Sequence, residues 1–207
     1  MPGSISRARL VSEKGFTLVE FMIAALVMSF VLGGTVMLAT QLQQSYSTQL
    51  EDAALEQEAR YALDWIARDL RQATSDPYHE IDSDQELFID PNAGTDLDDS
   101  IRIQADINPP DGVLDDDGED ITIEFDAVNG VITREDTIAS TTEDMTDGIF
   151  TDLQFTFLDS SGTATTAPDN VAYVRVQVTA QSRAWNSNRG ERPSFTLAKE
   201  VRVRTRQ

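Results

Sequence analysis

The chain has no cysteine and a single histidine, His79. The first absence excludes disulfides and cysteine-ligated zinc, and says little about compartment, because many exported proteins also lack disulfides. The second leaves histidine-based acid–base or triad chemistry one candidate, in the turn-like DPYHE stretch, with no nucleophile motif around it. A glycine-rich phosphate loop and a Walker lysine are also missing, and abundant carboxylates without a pocket are not a glycosidase signal. The expectation is a protein that is not an enzyme.

Positive charge is scarce where negative charge is dense. The formal net charge is -20, and between Asp76 and Asp152 only Arg102 and Arg134 stand among about two dozen acidic residues. Such a block repels phosphate backbones, so no nucleic acid partner is expected. Most of the other basic residues gather near the ends, in Arg7, Arg9 and Lys14 and from Arg175 onward. Proline is missing from Pro2 to Pro77, which leaves a long stretch free to be helical.

Within that stretch, Phe16 to Thr40 contains one charged residue, Glu20. About 25 residues at a rise of 1.5 Å make a helix of roughly 37 Å, enough for a hydrocarbon core of about 30 Å. Basic residues precede it and none follows until Arg60, so the positive-inside rule puts the N-terminus in the cytoplasm. A secretory signal peptide fits poorly, since the run is long and Met37-Leu38-Ala39 offers no small-x-small cleavage site. A plain signal anchor leaves Glu20 unexplained: an ionised carboxylate in the apolar zone costs about 2 to 4 kcal/mol unless paired, and the span holds no cation.

Lys14-Gly15-Phe16-Thr17-Leu18-Val19-Glu20 resembles the processing site of type IV prepilins and type II secretion pseudopilins. The resemblance implies a leader, residues 1–15, cut after Gly15 by a prepilin peptidase, and a methylated Phe16 as the new N-terminus. It also implies that Glu20 is the assembly carboxylate, pairing with an N-terminal amine in the fibre. Cleavage would create a cation where the span lacks one, and two charges desolvated together attract far more strongly than in water. The implied partners are other pilins or pseudopilins through the helix, an inner-membrane assembly platform and membrane lipid. The implied place is the inner membrane, single-pass, with a periplasmic globular domain that later enters a pilus or pseudopilus.

After Thr40 the chain becomes polar while keeping helix formers, and Leu55, Ala59, Ala62, Leu63, Ile66 and Leu70 recur at helical spacing. One helix is expected from Phe16 to about Ala73: residues 16–40 in the membrane or fibre core, and 41–75 as an amphipathic continuation. Gly33-Gly34 is its expected weak point. Residues 76–207 then read as strands: 100–105, 120–126, 131–136, 153–159, 171–181 and 195–205 alternate apolar with polar residues, and Asn129-Gly130 signals a hairpin. The expected fold is α+β and pilin-like, a long N-terminal helix packed on an antiparallel β-sheet domain.

Residues 106–120, DINPPDGVLDDDGED, form an acidic loop between two strands. Asp106, Asn108, Asp111, Asp115 and Asp117 are calcium candidates, because calcium takes six to eight hard oxygen ligands. The loop does not match an EF-hand, since Pro110 stands at the third ligand position and no glutamate closes it. A solvated acidic turn is the simpler reading, and no cofactor is required. ALDWIARDLRQA and KEVRVRT resemble a helix end and a closing strand of PilW-type minor pilins and GspJ-type pseudopilins. A minor pilin acting in pilus initiation or at the tip is therefore expected, with a minor pseudopilin of type II secretion as the near alternative. A signal-anchored extracytoplasmic binding domain that never polymerises is the alternative of another class.

Overall fold

A computed structural model describes residues 15–73, 75, 99–167, 170–186 and 190–203, together with the backbone of 89–90. Residues 1–14 of the expected leader 1–15, most of the 76–98 stretch, His79 and the last four residues lie outside the described residues. The chain divides into two units, Met1–Ser47 and Thr48–Gln207.

The helix α1 runs from Leu18 to Gln72, within two residues of its expected start and one of its expected end. In the first unit it is exposed on every side from Leu18 to Ser47, and it is long and apolar enough to cross a membrane. The helix is unbroken at Gly33 and Gly34. Polar side chains in this stretch bond to the helix's own carbonyls: Ser29 Oγ donates to Ala25 O, Thr35 Oγ1 to Leu32 O and Thr40 Oγ1 to Met37 O, each at 2.8 Å. In lipid this removes the cost of an unpaired hydroxyl.

In the second unit α1 buries one face. The expected stripe of Leu55, Ala59, Ala62, Leu63, Ile66 and Leu70 is wholly inside, joined by Trp65, Ala67 and Ala73. Alanines at 59, 62, 67 and 73 keep this face thin, which lets sheet side chains come close to the helix backbone.

The strands form two antiparallel sheets. The first has the order β1 (Ile89–Asp90), β2 (Ser100–Gln104), β3 (Asp120–Asp126), β4 (Val131–Asp136) and β5 (Thr141–Asp144). The second has the order β6 (Phe150–Leu158), β7 (Tyr173–Gln181) and β8 (Ser194–Arg202). Inward residues of both sheets, among them Ile101, Ile123, Ile132, Leu153, Phe155, Val174, Val176 and Val178, share one core with the helix. β7 and most of β6 carry the alternation seen in the sequence, with apolar residues inward and polar ones outward, whereas β4 buries Val131, Ile132 and Asp136.

Polar ties fix the helix to the sheets. Lys199 Nζ meets Asp64 Oδ1 at 2.7 Å, and Arg134 Nε meets Asp69 Oδ2 at 3.5 Å. Burial raises the Asp69 pKa, an effect that Arg134 and Arg68 oppose.

Candidate processing and assembly site

Gly15, Phe16 and Thr17 precede the helix in extended or irregular backbone, and α1 starts at Leu18. The start is set by Thr17-Leu18-Val19-Glu20, a Thr-x-x-Glu capping box. Thr17 Oγ1 accepts the Glu20 backbone N–H at 3.2 Å. Glu20 Oε2 in turn accepts the Thr17 N–H at 3.0 Å and the Thr17 hydroxyl at 2.9 Å. Two helix-end donors are satisfied reciprocally, which holds the Glu20 side chain at the very end of the helix.

The box answers half of the question that a carboxylate in an apolar segment raises. One oxygen, Oε2, takes two hydrogen bonds from Thr17, while Oε1 has no partner among the described residues. Thr17 was legible as a cap from its spacing to Glu20, a signal that reading Glu20 only as a charge overlooks.

Phe16 is 85% exposed. A Cβ added at Gly15 would meet nothing within 4 Å, so packing in the fold does not call for glycine there. Gly15 is exposed as well. Cleavage between the two would free an amine at Phe16, next to Thr17 and one helical turn before Glu20.

The acidic loop is organised by three buried carboxylates. Asp106, wholly buried, accepts the Asp111 N–H at 3.1 Å and the Gly112 N–H at 2.9 Å. Glu119, also wholly buried, accepts the Ile107, Asn108 and Asp116 N–H groups at 2.9, 3.0 and 3.1 Å. Asp136 accepts the Gly118 N–H at 2.7 Å and those of Ile138 and Ala139 at 3.1 and 3.0 Å. Carboxylates that accept two or three backbone N–H bonds are well satisfied when buried.

Of the calcium candidates, Asp111 and Asp115 come together with Asp116, their ligand oxygens all within 4.8 Å of one another. Asp106 faces inward to the loop backbone instead. Asn108 Nδ2 reaches the Asp117 carbonyl at 3.4 Å, and the Asp117 carboxylate is not in the group. Among the described carboxylates, Asp111, Asp115 and Asp116 stand close enough to share a cation; calcium's six to eight oxygens would need waters, amides or carbonyls in addition. Desolvation raises the Asp116 pKa, and the charges of Asp115, Glu119, Asp111 and Asp117 raise it further.

Residues 11–36, which include Gly15, Phe16 and Glu20, match the family model of the prokaryotic N-terminal methylation motif. No curated protein matches the chain. No solved structure matches it either.

Proposed function

We propose, taking the prepilin-type methylation motif at residues 11–36 as the premise, that the chain is a minor pilin of a type IV pilus. It is stored in the inner membrane by α1, processed by prepilin peptidase between Gly15 and Phe16, and assembled through the helix with other pilins on an inner-membrane platform. Its role is in initiating the fibre or at its tip. The observation that carries this reading is the placing of Gly15, Phe16, Thr17 and Glu20 at the start of an exposed apolar helix.

The mechanism follows from the Glu20 geometry. While the chain rests in the membrane, Thr17 supplies hydrogen bonds to one carboxylate oxygen. The other oxygen is open to the ammonium made by cleavage, on this subunit or a neighbour. In a dry helix bundle that pair is strong, and losing one partner leaves an uncompensated buried charge worth about 3–5 kcal/mol. Register along the fibre is thereby set by one charge pair. Calcium at Asp111, Asp115 and Asp116 is not required by this account.

Replacing Glu20 by alanine tests it. Wild-type protein is expected in fibres sheared from cells, and Glu20→Ala protein is expected to stay in the membrane fraction, inserted and processed. Equal amounts of both proteins in the fibres would remove Glu20 from assembly. Recovery in a secretion pseudopilus rather than a surface pilus would move the chain to the pseudopilins. Absence of the wild type from any fibre would favour a signal-anchored binding domain.

A further inference from the structure

β8 ends the second sheet, and its ladder to β7 decides which way each of its backbone groups points. The Val203 N–H donates to the Ala172 carbonyl at 3.0 Å, and the Ser182 N–H to the Pro193 carbonyl at 2.8 Å. These two bonds frame a register that runs from Tyr173 opposite Arg202 to Gln181 opposite Ser194. Antiparallel pairs alternate between bonded and non-bonded, so Phe195, Leu197, Lys199 and Val201 turn their N–H and C=O groups toward β7. Thr196, Ala198, Glu200 and Arg202 turn theirs away, and these outward groups have no partner among the described residues.

The other sheet edges are short or irregular, which are two ways of blunting an edge. β1 has two residues, β5 has four, and β6 carries the register shift between Phe150 and Asp152. β8 has nine residues, pairs with β7 without a shift, and contains no proline, Pro193 standing just before it. Its one lysine, Lys199, is held by Asp64 of α1.

Beside the start of this edge lies a groove of about 410 Å³, lined by Gln49, Asp52, Ala53 and Glu56 of α1 and by Ser194 and Phe195 of β8. Ala53 and Phe195 supply apolar wall, while Asp52 and Glu56 supply carboxylates, that of Glu56 already accepting from Arg60. A strand added to β8 places every second side chain on the helix side of the sheet, where the groove is. A lysine or arginine at such a position lays its aliphatic stem on the apolar wall and brings its charge to the carboxylates.

We infer that the outer edge of β8 is a docking site for an extended, basic segment of a partner protein, which adds to the three-stranded sheet as a further strand. The unpaired ladder selects an extended backbone, and the groove selects positive side chains. Nothing in this site depends on how the N-terminal segment is processed.

The test follows amide hydrogen exchange residue by residue in the full chain in detergent micelles, with and without a short synthetic peptide of alternating threonine and lysine. In the chain alone, the amides of Thr196, Ala198, Glu200 and Arg202 are expected to exchange freely. With the peptide at about ten times its Kd they are expected to exchange about tenfold more slowly. Outward amides that stay unprotected at saturating peptide would overturn the inference, and so would protection that grows with protein concentration without peptide, which would make a second copy the occupant. A peptide with glutamate in place of lysine is expected not to bind; equal binding would refute the basic partner. Ala198→Pro removes one outward N–H and no ladder bond, and is expected to abolish binding. A folded Ala198→Pro chain that binds as well as the wild type would refute the edge. Asp52→Asn with Glu56→Gln leaves the edge intact and is expected to raise Kd about threefold or more; an unchanged Kd would refute the groove.

Discussion

At Glu20 a single side chain meets two requirements that pull apart. An anion in lipid needs donors at once, and on the proposed reading an assembly residue needs capacity left for a later partner. Thr17 supplies donors to Oε2, and Oε1 is the oxygen that the proposal gives to the later partner. A different conflict is visible at Asp116. Its pKa is raised by desolvation and by neighbouring carboxylates, so it ionises less readily folded than unfolded. Its charge then opposes folding above its folded pKa, and the penalty fades as pH falls through the carboxylate range. Asp116→Asn is expected to raise the urea midpoint at pH 7, with the gain vanishing near about pH 3. A midpoint lowered equally at both values would instead make Asp116 structural. Arg134 is the inverse case, a cation that compensates the burial of Asp69 and lies 4.0 Å from Asp136. Arg134→Met leaves Asp69 partly buried without its cation, and is expected to cost about 1–3 kcal/mol in urea denaturation.

Among the elements, those with a strong periodic signal could be read from the sequence. β3 and β7 occupy Asp120–Asp126 and Tyr173–Gln181, stretches in which apolar and polar residues alternate. β5 was not legible, because all four of its residues, Thr141–Asp144, are exposed and carry no inward alternation. Nor was the division into two sheets, which depends on contacts between distant strands and not on the pattern within any one. β6 begins three residues before its expected start, at a register shift between Phe150 and Asp152, and irregularities of that kind blur the period of two. Asn129-Gly130 does mark a hairpin, but the turn is not a two-residue one. Asp126 pairs with Val131 across a four-residue loop, and the Asp126 side chain accepts the Val128 and Asn129 N–H groups. Gly130 has φ 67°, and a Cβ there would lie 2.8 Å from the Phe150 carbonyl. Gly130→Ala is therefore expected to destabilise by at least about 1–2 kcal/mol from the left-handed backbone alone. A denaturation midpoint unchanged by that substitution would contradict this account of the turn.

The whole molecule separates two solvents along one chain. The first unit has an apolar helix with no charge from Phe21 to Thr40, fit for lipid, whereas the second, fit for water, carries all of the chain's negative excess. The candidate site was legible because seven adjacent residues carry it. The acidic loop was less so, since composition cannot tell a carboxylate that faces inward, like Asp106, from one that faces water, like Asp115. On the proposed reading the chain is cut before Glu20 can pair with an ammonium, and that cut is the central claim. Intact mass and N-terminal sequencing of the protein recovered from its native membrane test it most directly. The account predicts a mature chain that begins with methylated Phe16. A chain that still carries residues 1–15, from cells with an active prepilin peptidase, would contradict it.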